Sequence, residues 1–408
     1  MNTLLKSCIV AILFLTPTQF GFEVAKNVHV SVVDPLIWIT LAIWLAIQIR
    51  NGRLKSTCPG IVLPALFILA AGISVVHAEN RLAWLKEMIQ ALEYFVAAYL
   101  VFAGIDDEKF LRRLVRLWLF IAGAITIAGA IQYFATPVDD MHVSATFGNR
   151  NIFGGYLAMM LPMALATMVW THRWWLRFLM LSMVMLGFVV NLSGGACIAM
   201  VIATGCVAMA RSRWIFAIHV VVVLLLVAVA LPRLPRQNDE KIWQSISIYD
   251  GNDDVARRYK EWHAAAAMAR ENALFGVGAG NYQQNLGRYY GTLQIPSHVA
   301  EPDSQNLYLV LASSMGIGGV LSFLGILMFF GLKSCVAAAR TGNIQHRSIA
   351  VGLAGLLIGF SIGSIWSPLL VRGTGLTLAM AIGLVTALGR LTASSNQPVH
   401  GHGQQGSN

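Results

Sequence analysis

Asp254-Val-Ala-Arg-Arg-Tyr-Lys-Glu-Trp262, Phe275-Gly-Val-Gly-Ala-Gly-Asn281 and Asp303-Ser-Gln-Asn-Leu-Tyr-Leu309 lie within or close upon a polar stretch, between Leu231 and Ser304, that interrupts an otherwise apolar chain. Of the 408 residues, 57% are hydrophobic and 12% charged, and the mean hydropathy is +0.65. Soluble domains average about 25% charged residues, so this composition excludes the soluble classes. A bilayer core needs about 20 consecutive apolar residues per helix. By that ruler candidate spans centre near residues 12, 40, 68, 97, 124, 161, 184, 202, 222, 319, 357 and 380. The pattern predicts an all-α integral membrane protein of about twelve transmembrane helices, with one large loop between the ninth and tenth. Its parts are helices one to nine over 1–231, the loop over 232–304, helices ten to twelve over 305–390, and a disordered tail over 391–408 rich in Ser, Gln, Gly and Asn. Lys6 followed by an apolar run resembles a signal peptide, but Pro17-Thr-Gln-Phe20 is a poor cleavage site, so the segment reads as a retained anchor.

The net charge of +10 does not call for a nucleic acid, because the distribution of cations accounts for it. With a cytoplasmic N-terminus, the inner loops hold sixteen Lys and Arg residues, and the short outer loops hold five: Lys26, Arg81, Lys86, Arg150 and Arg372. That asymmetry puts both termini in the cytoplasm and the long loop outside. None of the five cysteines lies in that loop and none forms a CxxC pair, so neither a disulfide framework nor a zinc site is implied. No internal repeat is visible, which speaks against the inverted-repeat architecture of many transporters.

Within the loop, 254–272 has helical character, with Trp262, Ala265, Ala266 and Ala269 as an apolar face, Arg258, Lys260 and Glu261 as polar neighbours, and Asn252, Asp253 or Asp254 as N-cap. Arg258 precedes Trp262 by one helical turn, which would lay its guanidinium along an aromatic face at the bilayer surface. That planar fork suits bidentate binding of a lipid diphosphate, although a lone loop arginine is more often simply solvated. Gly276, Gly278 and Gly280 follow a helix rather than a strand and lie outside the cell. A tight turn, or a nest of backbone amides for an oxyanion, therefore fits them better than a dinucleotide loop. Asn306 at the start of the tenth span reads equally as a helix cap or as a group facing a cavity. Asn149 and Asn151 are cap candidates for the sixth span, with Arg150 between them. Glu93 sits inside the fourth apolar run, where an ionisable group is costly, and it either serves a function or snorkels to the outer face.

Together these blocks resemble the O-antigen ligase superfamily of bacterial envelope glycosyltransferases. Thr146-Phe-Gly-Asn-Arg-Asn-Ile-Phe153 with Tyr156-Leu157 is similar to the family's block before its sixth helix. Arg258-Tyr-Lys-Glu-Trp262 is similar to its Arg-x-x-x-Trp, Gly276-Val-Gly-Ala-Gly280 to its Gly-Val-Gly-x-Gly, and Asn306-Leu-Tyr-Leu309 with Gly316-Ile-Gly-Gly319 to its Asn-x-Tyr-Leu and Gly-x-x-Gly. The resemblance implies a GT-C-like arrangement with a periplasmic loop, in the bacterial inner membrane. It implies metal-independent transfer, without a cofactor, of an undecaprenyl-diphosphate-linked glycan to the hydroxyl of lipid A-core or another acceptor, among membrane lipids and with no nucleic acid. Arg258, Trp262, Arg150, Asn306, Gly278 and Gly280 would bind substrate.

The chain departs from the family at two positions. Ligases usually place a histidine directly before the asparagine, where this chain has Gln305, which takes no proton. They also tend to carry an arginine after a serine beyond the seventh helix, where Ser193 is followed by Gly194. His298 and Asp303 are near enough in sequence to supply the missing base, so Gln305, His298 and Asp303 are the candidate catalytic residues. Within the superfamily, a ligase moves a finished glycan and a polymerase joins repeat units. A membrane transporter is the reading from another class.

Overall fold

A computed structural model describes residues 3–18, 21–25, 28–52, 60–136, 143–191, 193–230, 254–290 and 305–395. The helices in chain order are α1 (Thr3–Leu15), α2 (Val33–Arg50), α3 (Val62–Ile73), α4 (Arg81–Gly104), α5 (Glu108–Ala135), α6 (Arg150–Trp170), α7 (Trp174–Val190), α8 (Gly194–Arg211) and α9 (Arg213–Ala230). They continue with α10 (Asp254–Glu271), α11 (Tyr282–Leu286), α12 (Leu307–Arg340), α13 (Ile344–Gly363) and α14 (Arg372–Ser395). Every span centre read from the sequence falls inside one of these helices. Among the described residues α2, α4, α5, α6, α8, α12, α13 and α14 are long and apolar enough to cross a membrane, and α1, α3, α7 and α9 are shorter apolar helices. The chain is an all-α, multi-pass membrane protein.

Two details differ from the sequence reading. A short antiparallel hairpin, β1 (Gly21–Ala25) with β2 (Val28–Ser31), links α1 to α2. α14 runs on to Ser395, into the segment assigned to the tail, because Leu391-Thr-Ala393 still packs as helix and Thr392 is buried. Residues 396–408, with His400 and His402, lie outside the described residues.

Helix starts follow the capping rule that a short polar side chain should accept from the free amides of the first turn. Asn80, Asp107, Asn149, Asn306 and Asn343 do so for α4, α5, α6, α12 and α13. The core is built on α6, buried continuously from Phe153 to Ala166 between α8 and α13. Backbones approach closely there, as small residues allow in membrane bundles: a Cβ on Gly359 would fall on the Ala158 carbonyl. Leu69, Phe120, Phe134, Trp174, Trp214 and Met328 point outward from the bundle, as side chains facing lipid do.

The polar contacts sort into two ends. One gathers Lys6 on Asp106 and Asp107, His346 on Glu108, and Arg112 on Gln345. The other gathers Thr146 on Pro17, Asn80 on Asn281, Asn151 on Gln305, and Leu307 on Ser364. The Thr146, glycine-loop and Asn306 blocks are therefore at this second end.

Candidate active site

The glycine-rich loop is held by a break in a membrane helix. Inside α12, Gly316 is non-helical (φ 67°, ψ −167°), which frees carbonyls of the preceding turn. Val277 N–H donates to Ser313 O (2.8 Å) and Gly278 N–H to Ser314 O (3.0 Å), while Ile317 N–H donates back to Ala273 O (2.8 Å). Ala279 N–H donates to Ser74 Oγ (3.1 Å), and Asn281 pairs with the backbone of Asn80. Gly276, Gly278 and Gly280 all have positive φ (70°, 99° and 73°), a conformation glycine adopts freely. The amide nest expected at Gly278 and its neighbours is not offered: the amides of residues 276–279 all donate within the protein. The loop is a clamp that joins α12 to the α3–α4 corner.

α10 lies against the first half of α12, with Ser313 Oγ donating to Ala265 O (3.0 Å). Its buried face is Glu261, Ala264, Ala265 and Met268, spaced i, i+3, i+4, i+7. This corrects the face read from the sequence by about one residue's rotation: Trp262, Ala266 and Ala269 are only half-buried. Glu261, read as a polar neighbour, is 3% exposed. The run Ala264-Ala-Ala-Ala267 gives apolar periodicity no preferred phase, so α12 decides it. α10 and α12 run in the same sense, since Ala265 meets Ser313 and Ala273 meets Ile317. Half-buried Arg258 therefore lies from Ala265 toward the Asn306 end of α12.

At that end two distant blocks meet. Asn149 caps α6, accepting from Asn151 N–H (2.8 Å) and Ile152 N–H (3.4 Å). Asn151 does not cap; its Nδ2 donates to Gln305 Oε1 (3.5 Å). Arg150, the exposed first residue of α6, stands beside that contact. Gln305 has φ 51°, a left-handed turn that leads into α12. Asn306 is a helix cap, its Oδ1 accepting from Tyr308 N–H (3.0 Å) and Leu309 N–H (3.2 Å). Leu307 N–H donates to Ser364 O (2.9 Å), fastening the block to the end of α13. His298 and Asp303 lie outside the described residues.

Sequence reading missed a buried ionic cluster next to this end. Glu93 does not snorkel. It is 3% exposed, accepts from Trp38 Nε1 (3.1 Å) and lies 3.9 Å from Arg372. Arg372 binds Asp34 at 2.8 Å, and Asp34 also accepts from Ser31 N–H (2.9 Å). The sequence counts Arg372 as a loop cation, but it is the first residue of α14 and sits beside Glu93, midway along α4. A second missed pair is exposed: Arg288 grips Glu79 at 2.6 and 3.0 Å. The Arg288 hydrogen bonds hold the Glu79 carboxyl below its ordinary range. Among the described residues no group of three metal-ligating side chains occurs.

Residues 178–324 match the family model described as O-antigen ligase. The match contains the Arg258, glycine-loop and Asn306–Gly319 blocks, and the Thr146 block lies before it. No curated protein matches the chain. An all-α multi-pass membrane fold, with three of those blocks inside the matched segment, makes the chain similar over residues 178–324 to the O-antigen ligase family.

Proposed function

We propose that this protein transfers a glycan from a polyprenyl-diphosphate-linked donor to an acceptor hydroxyl at the periplasmic face of the bacterial inner membrane, as a ligase. The observation that carries the reading is the meeting of Asn151 with Gln305 across 154 residues, at the end of α12 toward which Arg258 lies. Two cations, Arg150 and Arg258, thereby flank a polar mouth. An anionic diphosphate gains from fixed cations as it departs, and Arg258 supplies a planar fork for its oxygens. Gln305 orients the acceptor through its amide and does not take its proton. Loss of a general base at that position costs about 10²–10⁴-fold, so turnover survives it or another group accepts the proton.

Polymerisation of repeat units is the second reading. The replacement of the ligase histidine by Gln305 favours it. The envelope glycans of a deletion strain separate the two: long chains accumulating unattached on the lipid carrier indicate a ligase, and single repeat units a polymerase. An unchanged profile would overturn both. The orientation is tested by a reporter active only in the periplasm, which should be active when fused at Gln283 and silent after Arg390.

A further inference from the structure

An apolar groove of about 360 Å³ lies between three helices, at the end of the bundle where Lys6, Glu108 and His346 gather. Its walls are Cys206 and Ala210 of α8 and Cys335 and Ala339 of α12, and along α13 it runs from Arg347 to Ile358. The four wall residues are exposed, so the groove opens on the flank of the bundle, where side chains face lipid. The eleven steps from Arg347 to Ile358 rise about 16 Å along the helix. That is about half of a hydrocarbon core of ~30 Å, the depth of one leaflet.

The rim of the groove is cationic. Arg347 donates from Nε to Ala338 O (3.2 Å) and from Nη2 to Thr341 O (3.4 Å), which holds its guanidinium at the seam between α12 and α13 while the side chain stays exposed. Arg340 follows Ala339 at the end of α12. Arg211 follows Ala210 at the end of α8, resting on Val169 O (3.4 Å) and the Trp170 ring. No Asp or Glu occurs between Asp140 and Asp239 or after Asp303, so α8, α12 and α13 supply these cations with no carboxylate. Glu108, which reaches α13 from α5, is taken by Arg112 and His346. Lys6 at the same end is the contrast, since Asp106 and Asp107 both bind it. An apolar slot one leaflet deep beneath a basic rim is complementary to an acyl chain that carries an anionic head.

We propose that this groove binds an anionic diacyl phospholipid from the leaflet at that end, the cytoplasmic one in the orientation proposed above. One acyl chain lies along α13 between α8 and α12. The phosphate sits on Arg347, whose planar fork suits its oxygens, and Arg340 and Arg211 add positive potential at the rim. The site stands apart from the polar mouth at Gln305 and does not depend on the transfer reading.

The test uses the purified full chain in detergent, with phosphatidylglycerol or phosphatidylcholine of the same chain length added. Native mass spectrometry reads the bound lipid, and maleimide labelling resolved by peptide mass reads the cover over Cys206 and Cys335. Phosphatidylglycerol should stay bound and slow the labelling of both cysteines, and phosphatidylcholine at the same concentration should do neither. Arg347→Gln should weaken phosphatidylglycerol binding about 10–100-fold, and Arg347→Lys should weaken it less. Ala339→Phe should remove the protection of both cysteines by filling the slot with its basic rim intact. Unfolding midpoints without lipid check that the variants are folded, and where one is not, the two lipids compared on the wild type decide alone. Equal protection by both lipids would overturn the inference, as would undiminished phosphatidylglycerol binding by a folded Arg347→Gln. Protection that grows with protein concentration and not with lipid would overturn it too, and would identify a second copy of the chain as the occupant.

Discussion

Gly276 and Gly316 are locked into each other's backbone. A Cβ on Gly276 would fall on the Ser314 carbonyl, and a Cβ on Gly316 on the Leu274 carbonyl. Both residues have positive φ, so each is strained for any other side chain before the overlap is considered. One glycine belongs to the loop between α10 and α11 and the other to a membrane helix, and the contact makes the two a single unit.

Replacing either glycine by alanine is expected to be severe. Left-handed strain alone costs about 1–2 kcal/mol, and the clash is with backbone, which has no rotamer to yield. Gly52→Ala is the control, since Gly52 also has positive φ but meets nothing within 4 Å. Thermal unfolding in detergent should show Gly276→Ala and Gly316→Ala well below Gly52→Ala. Equal midpoints for all three would refute the clamp.

Arg258→Ala should abolish glycan transfer without lowering the amount of protein in the membrane. Arg258→Lys should rescue poorly, because a point charge lacks the bidentate fork. Immunoblots alongside the envelope glycan profile check both, and full activity of the alanine variant would sink the assignment.

Gln305→Ala and Gln305→Glu should reduce transfer without erasing it, since the amide positions and does not accept a proton. Asn151→Ala removes the partner amide and should have an effect of similar size. The two changes together should cost less than the sum of the separate losses. Initial rates of the single and double variants decide the point, and strict additivity would show that the contact has no role in transfer.

Asp107 caps α5 through Phe110 N–H (2.6 Å) and binds Lys6 (2.8 Å). The Lys6 contact first, and the backbone amide second, hold its carboxyl well below the usual range. A depressed folded value means the contribution is full above the unfolded value of about 3.9 and is lost as the pH falls toward the folded one. Asp107→Ala should cost about 0.5–2 kcal/mol at neutral pH, the typical value of a cap. The gap to wild type should narrow in acid, as followed by unfolding midpoints across pH. A gap that is constant with pH would contradict the assignment.

The spans were legible in the sequence because length and apolarity are local properties, and the caps at Asn149 and Asn306 because their signal spans three residues. The loop helix was legible in place but not in phase: Ala264–Ala267 fits any face, and the packing on α12 decides which one is buried. The glycines announced a close approach without naming its partner, because a helix broken at Gly316 leaves no mark on hydropathy. Arg372 read as a loop cation because the depth at which α14 begins is set by packing on α4. Asp34 and Glu93 are 59 residues apart in sequence, and only the bundle brings them to one guanidinium.

The clamp also sets an order of assembly. Val277 and Gly278 have their partners at Ser313 and Ser314, and Ala273 has its partner at Ile317, so during synthesis the loop emerges before the helix that will hold it exists. Until α12 has been inserted and broken at Gly316, Arg258 has no fixed place relative to Gln305. A chain arrested before α12 would carry the Arg258 block and the glycine loop with nothing to align them. Insertion of the last membrane helices is thus what completes the alignment of these residues.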